Sequence, residues 1–122
     1  MTFQYPARVV RVVDGDTVIL DVDLGFHLWL QNQSFRLLGL NAREKAETGG
    51  AEAKAHLTSL LPAGLSIRVT SVKVDKYGGR YDGEILFADG SSLNQQLLHD
   101  GWAAAWMGAG TKPVPPWPRK AT

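Results

Sequence analysis

The sequence predicts a mainly β domain, a small five-stranded barrel that carries two helices. Three observations point there. A valine-dense run over residues 7–24 alternates apolar and polar side chains and is broken by Asp14-Gly15-Asp16. Two segments, beginning at Gly50 and at Ser92, carry apolar residues at helical spacing between start and stop signals. The whole reads strand, strand, strand, helix, strand, strand, helix.

The first strand is Ala7 to Val13, where β-branched residues favour the pleated conformation. Asp14-Gly15-Asp16 is a hairpin turn signal. In the second strand Val18, Leu20, Val22 and Leu24 alternate with Ile19, Asp21 and Asp23, the period of a half-buried strand. Gly25 allows a second reversal. The third strand runs from Phe26 to Leu40, with Trp29, Phe35, Leu37 and Leu38 apolar and a bend at Gln31–Ser34. Residues 41–49 are polar and run into the pair Gly49-Gly50, so they form a loop.

Gly50 to Leu61 is the first helix. Its Ala53, Leu57, Leu60 and Leu61 share one face, and Pro62 and Gly64 stop it. The fourth strand covers Leu65 to Val74 and the fifth Arg80 to Phe87, with a turn at Asp75–Gly79 between them. Ser92 with Gln95 is a capping box. Leu93, Leu97 and Leu98 form the buried stripe of the second helix, and Gly101 suits its C′ position. Five strands with a helix between the third and fourth is the pattern of an OB-fold, a barrel that often binds nucleic acid on one face. One domain, 1–107, accounts for all of this. The tail, 108–122, is rich in Gly and Pro. Its Pro113, Pro115, Pro116 and Pro118 deny it regular structure, so it is expected to lie extended over the body, pinned by Trp117.

Bulk properties narrow the function. The chain has 122 residues, 44% of them hydrophobic, and a net charge of +1. Nucleic-acid contact must then come from a local cluster of Lys and Arg, not from whole-body charge. Cysteine is absent, which excludes disulfides, thiol catalysis and Cys-ligated zinc. No apolar run approaches the ~20 residues that span a bilayer. The N-terminus lacks a basic region followed by an apolar stretch, so an intracellular protein is expected. His27, His56 and His99 show no metal spacing and are expected on surfaces or helix flanks. Trp29 and Trp102 are expected as core or staple residues.

Three constellations carry chemistry. Asp14, Asp16 and Thr17 place two carboxylates at a tight turn, where they can offer hard oxygen ligands to a divalent cation or serve only as a hairpin turn. Arg36 lies inside an apolar strand, where its charge needs an anion, either a ligand or a structural partner. Asn41 and Glu44 follow at the strand end, where loops carry function. Asp75-Lys76-Tyr77-Gly78-Gly79-Arg80 combines two cations, an aromatic ring and glycines, which suits phosphate and base contacts or a plain surface turn.

In this order the three segments resemble staphylococcal nuclease (thermonuclease) and its homologues. Asp14-Gly15-Asp16-Thr17, Phe35-Arg36-Leu37-Leu38 closed by Glu44, and Asp75-Lys76-Tyr77-Gly78 with Arg80 carry the likeness over about residues 8–107. Asn94 and Gly101 fit as well. The closing Lys112–Pro118 and Asn41-Ala42-Arg43-Glu44 are similar to the short phage or prophage branch.

The resemblance implies a calcium-dependent nuclease that hydrolyses DNA or RNA, single-stranded by preference, and leaves 3′-phosphate ends. It implies calcium ligands at Asp16, Asn41 and the Ala42 carbonyl. Glu44 would orient or deprotonate the attacking water. Arg36 and Arg80 would hold the phosphate, where planar guanidinium forks suit its oxygens. Lys76 and Tyr77 would contact the nucleotide. Trp106 lies near a position that stacks on it, with core packing as the other role. A monomer with no membrane association is expected.

This sequence departs from the family pattern at three points. Asn41 stands where Asp is usual, which removes one charge from the metal site. Ala42-Arg43 replaces Thr-Pro. Gly79 adds a residue before Arg80. The alternative reading is a catalytically weak or inactive OB-fold module that binds single-stranded nucleic acid, and Asn41 favours it. Retention of Arg36, Glu44 and Arg80 favours the enzyme.

Overall fold

Alternating valines build the first hairpin. In the computed structural model, residues 3–74 and 79–120 are described, those at 71–73 by their backbone alone. β1 (Phe3–Asp14) and β2 (Thr17–Asp23) pair antiparallel, with Val9 opposite Leu20 and Val12 opposite Val18. All four side chains are buried. β3 (Trp29–Leu37) pairs with β2, and β5 (Ser66–Val74) pairs with both β1 and β6 (Tyr81–Leu86). A short parallel pairing of β3 with β6 closes the barrel in the order β1-β2-β3-β6-β5. With α1 (Gly50–Leu60) and α2 (Leu93–His99) outside it, the molecule is mainly β, a closed five-stranded barrel with two helices, as in an OB-fold.

The helices complete the core. Ala53 and Leu57 of α1 are buried, and Leu61 follows just past its end. Leu57, Leu93 and Leu97 join the same apolar cluster as Leu20, Leu37 and Ile85 of the barrel. Each such leucine contributes on the order of 2 kcal/mol by leaving water. Ser92 caps α2 by accepting the Gln95 N–H, and its own hydroxyl donates to Glu84 at 2.7 Å. Gly101 follows the C-cap with φ +77, the left-handed conformation that suits glycine there.

The third strand is shorter than the apolar pattern implied. Gly25, Phe26 and His27 all have positive φ and form the reversal, so β3 begins at Trp29. Asn32 has φ 56, and the β2–β3 register slips between Leu20 and Val22, which is the bend expected at Gln31–Ser34. After Leu38, Gly39 (φ +84) turns the chain out of the barrel. The next residues become β4 (Leu40–Ala42), which pairs with β7 (Ala103–Ala105) in a separate two-stranded sheet. This sheet rests on long-range pairing, which local periodicity does not encode.

Trp29 is not a core residue. It is 40% exposed and lies under the Arg8 guanidinium at 4.8 Å. β6 reaches β3 only at Phe35–Leu37, so the start of β3 projects past the barrel wall. Trp102 does pack against the core. Among the described residues, no helix is long and apolar enough to cross a membrane.

Candidate active site

The turn at Asp14-Gly15-Asp16 is held to two other elements. The Asp16 carbonyl accepts the Leu37 N–H at 2.8 Å, which ties it to the end of β3. Its carboxylate accepts the Ala42 N–H through Oδ2 at 3.0 Å and the Thr17 hydroxyl through Oδ1 at 3.1 Å. A side chain on Gly15 would press on the Ala42 and Ala53 methyls at 3.0 Å. Glycine thus lets the turn sit flush against β4 and α1. Asp14 lies beside it with a raised carboxyl pKa. Burial is the main cause, opposed by the Gly15 N–H; the charges of Asp16 and Glu44 raise it further, and Lys45 lowers it.

Arg36 stands in register between Thr17 on β2 and Asp82 on β6. Its side chain is only 10% exposed. Its Nη2 lies 3.5 Å from Asp16 Oδ2 and donates to Asn41 Oδ1 at 3.2 Å. The indole of Trp106 lies over the guanidinium, 5.1 Å from ring centroid to Cζ. Trp106 thus lies outside the core cluster and beside Arg36. It is set there by its backbone N–H, which donates to the Gly39 carbonyl at 2.9 Å, and its indole N–H donates to the Ala109 carbonyl at 3.0 Å.

Glu44 occupies the rim with its side chain 60% exposed. The loop around it is built by short bonds: its N–H donates to Glu47 Oε1 at 2.7 Å, and its carbonyl accepts the Glu47 N–H at 2.9 Å. Gly50 lets α1 start directly behind this loop, because any Cβ there would overlap the Glu44 carbonyl. Lys112 of the tail reaches Glu44 Oε1 at 3.4 Å.

The tail crosses this site. Asn41 Nδ2 donates to the Pro113 carbonyl at 2.8 Å, and Arg43 Nε donates to the Pro115 carbonyl at 2.9 Å. Trp117 then lies against Gly49 and 6.1 Å from Trp102. Arg119 donates to the Asp100 carbonyl at 2.8 Å.

Five sequence-predicted residues thus meet at one mouth: Asp16, Arg36, Asn41, Ala42 and Trp106. Glu44 stands at its edge, close enough for its charge to act on Asp14. Arg80 is half-buried just before β6, whose Tyr81 and Asp82 pair with Phe35 and Arg36. Lys76 and Tyr77 lie outside the described residues. The side-chain oxygens of Asp16 and Asn41 lie here around one guanidinium nitrogen, and oxygen is the ligand a hard cation needs. Among the described residues, however, no three carboxylate or imidazole groups converge as a ready cage. Two residues at this mouth have no individual role in the sequence motifs: Arg43, legible there only as a departure from the family pattern, and Lys112, legible only as part of the closing Lys112–Pro118 segment. Asp14, one of the two turn carboxylates, lies beside Asp16.

Of the histidines, His27 and His99 are exposed, while His56 on α1 stacks on Trp102 at 4.4 Å.

No family model matches the chain. It is similar to two proteins named uncharacterized endonuclease, from Escherichia coli and Escherichia coli O157:H7. Each is 34% identical over 110 residues, covering 89% of this chain and 66% of the relative. Endonuclease YhcR of Bacillus subtilis (strain 168) is 28% identical over 117 residues, covering 85% of this chain and 9% of that protein. The chain spans just under two thirds of the length of the Escherichia coli relatives it matches.

Proposed function

We propose that this domain is a nuclease: it hydrolyses phosphodiester bonds of DNA or RNA with a bound calcium ion and leaves 3′-phosphate ends. The observation that carries the reading is the buried Arg36 guanidinium at the barrel mouth, flanked by Asp16 and Asn41, with an exposed carboxylate, Glu44, at the same rim. Similarity to proteins named endonucleases supports it.

Each residue then has a task. Arg36 binds equatorial phosphate oxygens, and its charge gains strength from burial. Arg80 adds a second guanidinium from the start of β6. Glu44 orients water and takes its proton as the water oxygen bonds to phosphorus. The bond from phosphorus to the 5′ oxygen breaks, and that oxygen takes a proton from solvent. Asp16, Asn41 and the Ala42 carbonyl would hold the calcium, with Asp14 adding negative charge nearby. When bound, the ion supplies Lewis-acid stabilisation of the phosphate charge. Trp106 offers a face for base stacking, and Lys76 and Tyr77 contact the nucleotide.

A second reading, nucleic-acid binding without cleavage, draws on Asn41. Its amide brings one charge fewer than a carboxylate, and Arg36 already occupies its oxygen. The deciding experiment incubates the protein with single-stranded DNA in calcium, in magnesium or in chelator. Cleavage in calcium that stops with chelator and is lost in Arg36→Ala is expected. Binding without cleavage under all three conditions overturns the enzymatic reading.

A further inference from the structure

The proline-rich tail and the two departures at Asn41 and Arg43 belong together. Asn41 and Arg43 are two residues apart, and so are the carbonyls they hold, Pro113 and Pro115. The tail therefore runs alongside the site segment and is stitched to it by side chains. β7 takes the backbone of the same segment, pairing Asn41 with Ala104 and Ala42 with Ala103. Proline carbonyls in an extended chain have no partner of their own, so they are available for such bonds. Pro115 is buried, and Trp117 anchors the far end against Gly49. An aspartate at position 41 would set a carboxylate oxygen against the Pro113 carbonyl, and a proline at position 43 would offer no donor at all.

What the stitching delivers is Lys112. Its ammonium stands 3.4 Å from Glu44 and 5.5 Å from the Trp106 ring centroid, and Arg36 lies 5.1 Å from that same ring. One indole thus gathers two cations at the same mouth, an arrangement that suits neighbouring phosphates of a single strand. Lys112 is 44% exposed and Glu44 60%, and an ion pair in that setting is weak. A phosphate can take the lysine over.

We propose that residues 112–117 form a strap that is part of the nucleic-acid site: Asn41 and Arg43 dock it, and Lys112 contacts a backbone phosphate adjacent to the one held by Arg36. Arg43 acts through the strap, as a positioning residue. The inference rests on the nuclease reading.

The test uses the full chain and a fluorescein-labelled single-stranded oligothymidylate. Anisotropy in chelator, across a salt series, gives affinity; cleavage in calcium gives kcat and KM. Lys112→Ala should weaken binding by about three- to tenfold at low salt and reduce the salt slope by roughly 0.7, the loss of one single-strand phosphate contact. KM should rise more than kcat falls. Arg43→Ala should weaken binding by a similar factor. The double variant should be no worse than Arg43→Ala alone, because an undocked strap no longer presents Lys112. With 5-fluorotryptophan incorporated, Arg43→Ala should shift the Trp117 fluorine resonance while Lys112→Ala leaves it in place. Wild-type affinity and slope in Lys112→Ala, or fully additive losses in the double variant, overturn the strap and leave the nuclease reading standing. A wild-type chain that neither binds nor cleaves the oligonucleotide overturns both.

Discussion

The amide of Asn41 bridges a near neighbour and the distant tail: its oxygen accepts from Arg36 at 3.2 Å, and its nitrogen donates to the Pro113 carbonyl at 2.8 Å. The residue proposed as a calcium ligand is thus also a joint between the site and the tail.

Asn41→Asp should separate the two roles. A carboxylate adds charge for calcium but loses the donor to Pro113 and sets two acceptors face to face. Calorimetric titration should show tighter calcium binding than wild type. The Trp117 fluorine resonance should move toward its solvent-exposed position. Unchanged calcium affinity would mean that position 41 does not face the ion.

Arg36→Ala, Glu44→Ala and Arg80→Ala should each lower kcat by about 10²–10³, the cost of losing one oriented group in other enzymes. Their effects on stability should differ. Arg36→Ala strips the buried Asp16 of its cation and should destabilise measurably. Glu44 is on the rim, and its removal should leave the melting temperature almost unmoved. Arg80→Ala tests the extra glycine: cleavage at the wild-type rate would mean that this arginine does not reach the phosphate.

Asn94→Ala should cost about 3 kcal/mol, because buried partners lose their hydrogen bonds. Asn94 Oδ1 accepts the Ile85 N–H, and its Nδ2 donates to the Leu38 and Gly83 carbonyls. These bonds lock α2 to β6 and to the turn that leads into β4. Urea unfolding with an unchanged m-value is the measurement, and a loss under 1 kcal/mol would contradict it.

His56 should make stability pH-dependent. Burial, and then the charge of Arg119, hold its pKa below the ordinary 6.5, with Asp100 opposing. The fold favours the neutral ring, so its contribution is complete above 6.5 and is lost as the pH falls through the lowered folded value. His56→Gln should flatten the decline in melting temperature between about pH 7 and pH 5. An identical pH profile in the variant would remove His56 as the cause.

The hairpin at Asp14–Thr17, both helical faces, the α2 cap and the apolar alternation of a five-stranded barrel are legible in the sequence alone. These are short-range properties, set by side-chain period, turn chemistry and capping within a few residues. The sequence also marked Asp16, Arg36, Asn41 and Ala42 in their order along the chain. Only the tertiary structure decided that Leu40–Ala42 leaves the barrel to pair with Ala103–Ala105 and that Trp29 lies outside while Trp106 sits over Arg36. It alone brought Lys112 to the rim beside Glu44. Partners 61 to 72 residues apart leave no local period. A proline-rich tail has no intrinsic preference for one surface. Its place is set by which donors stand free on the folded body, and Asn41 and Arg43 supply them only once the barrel has closed.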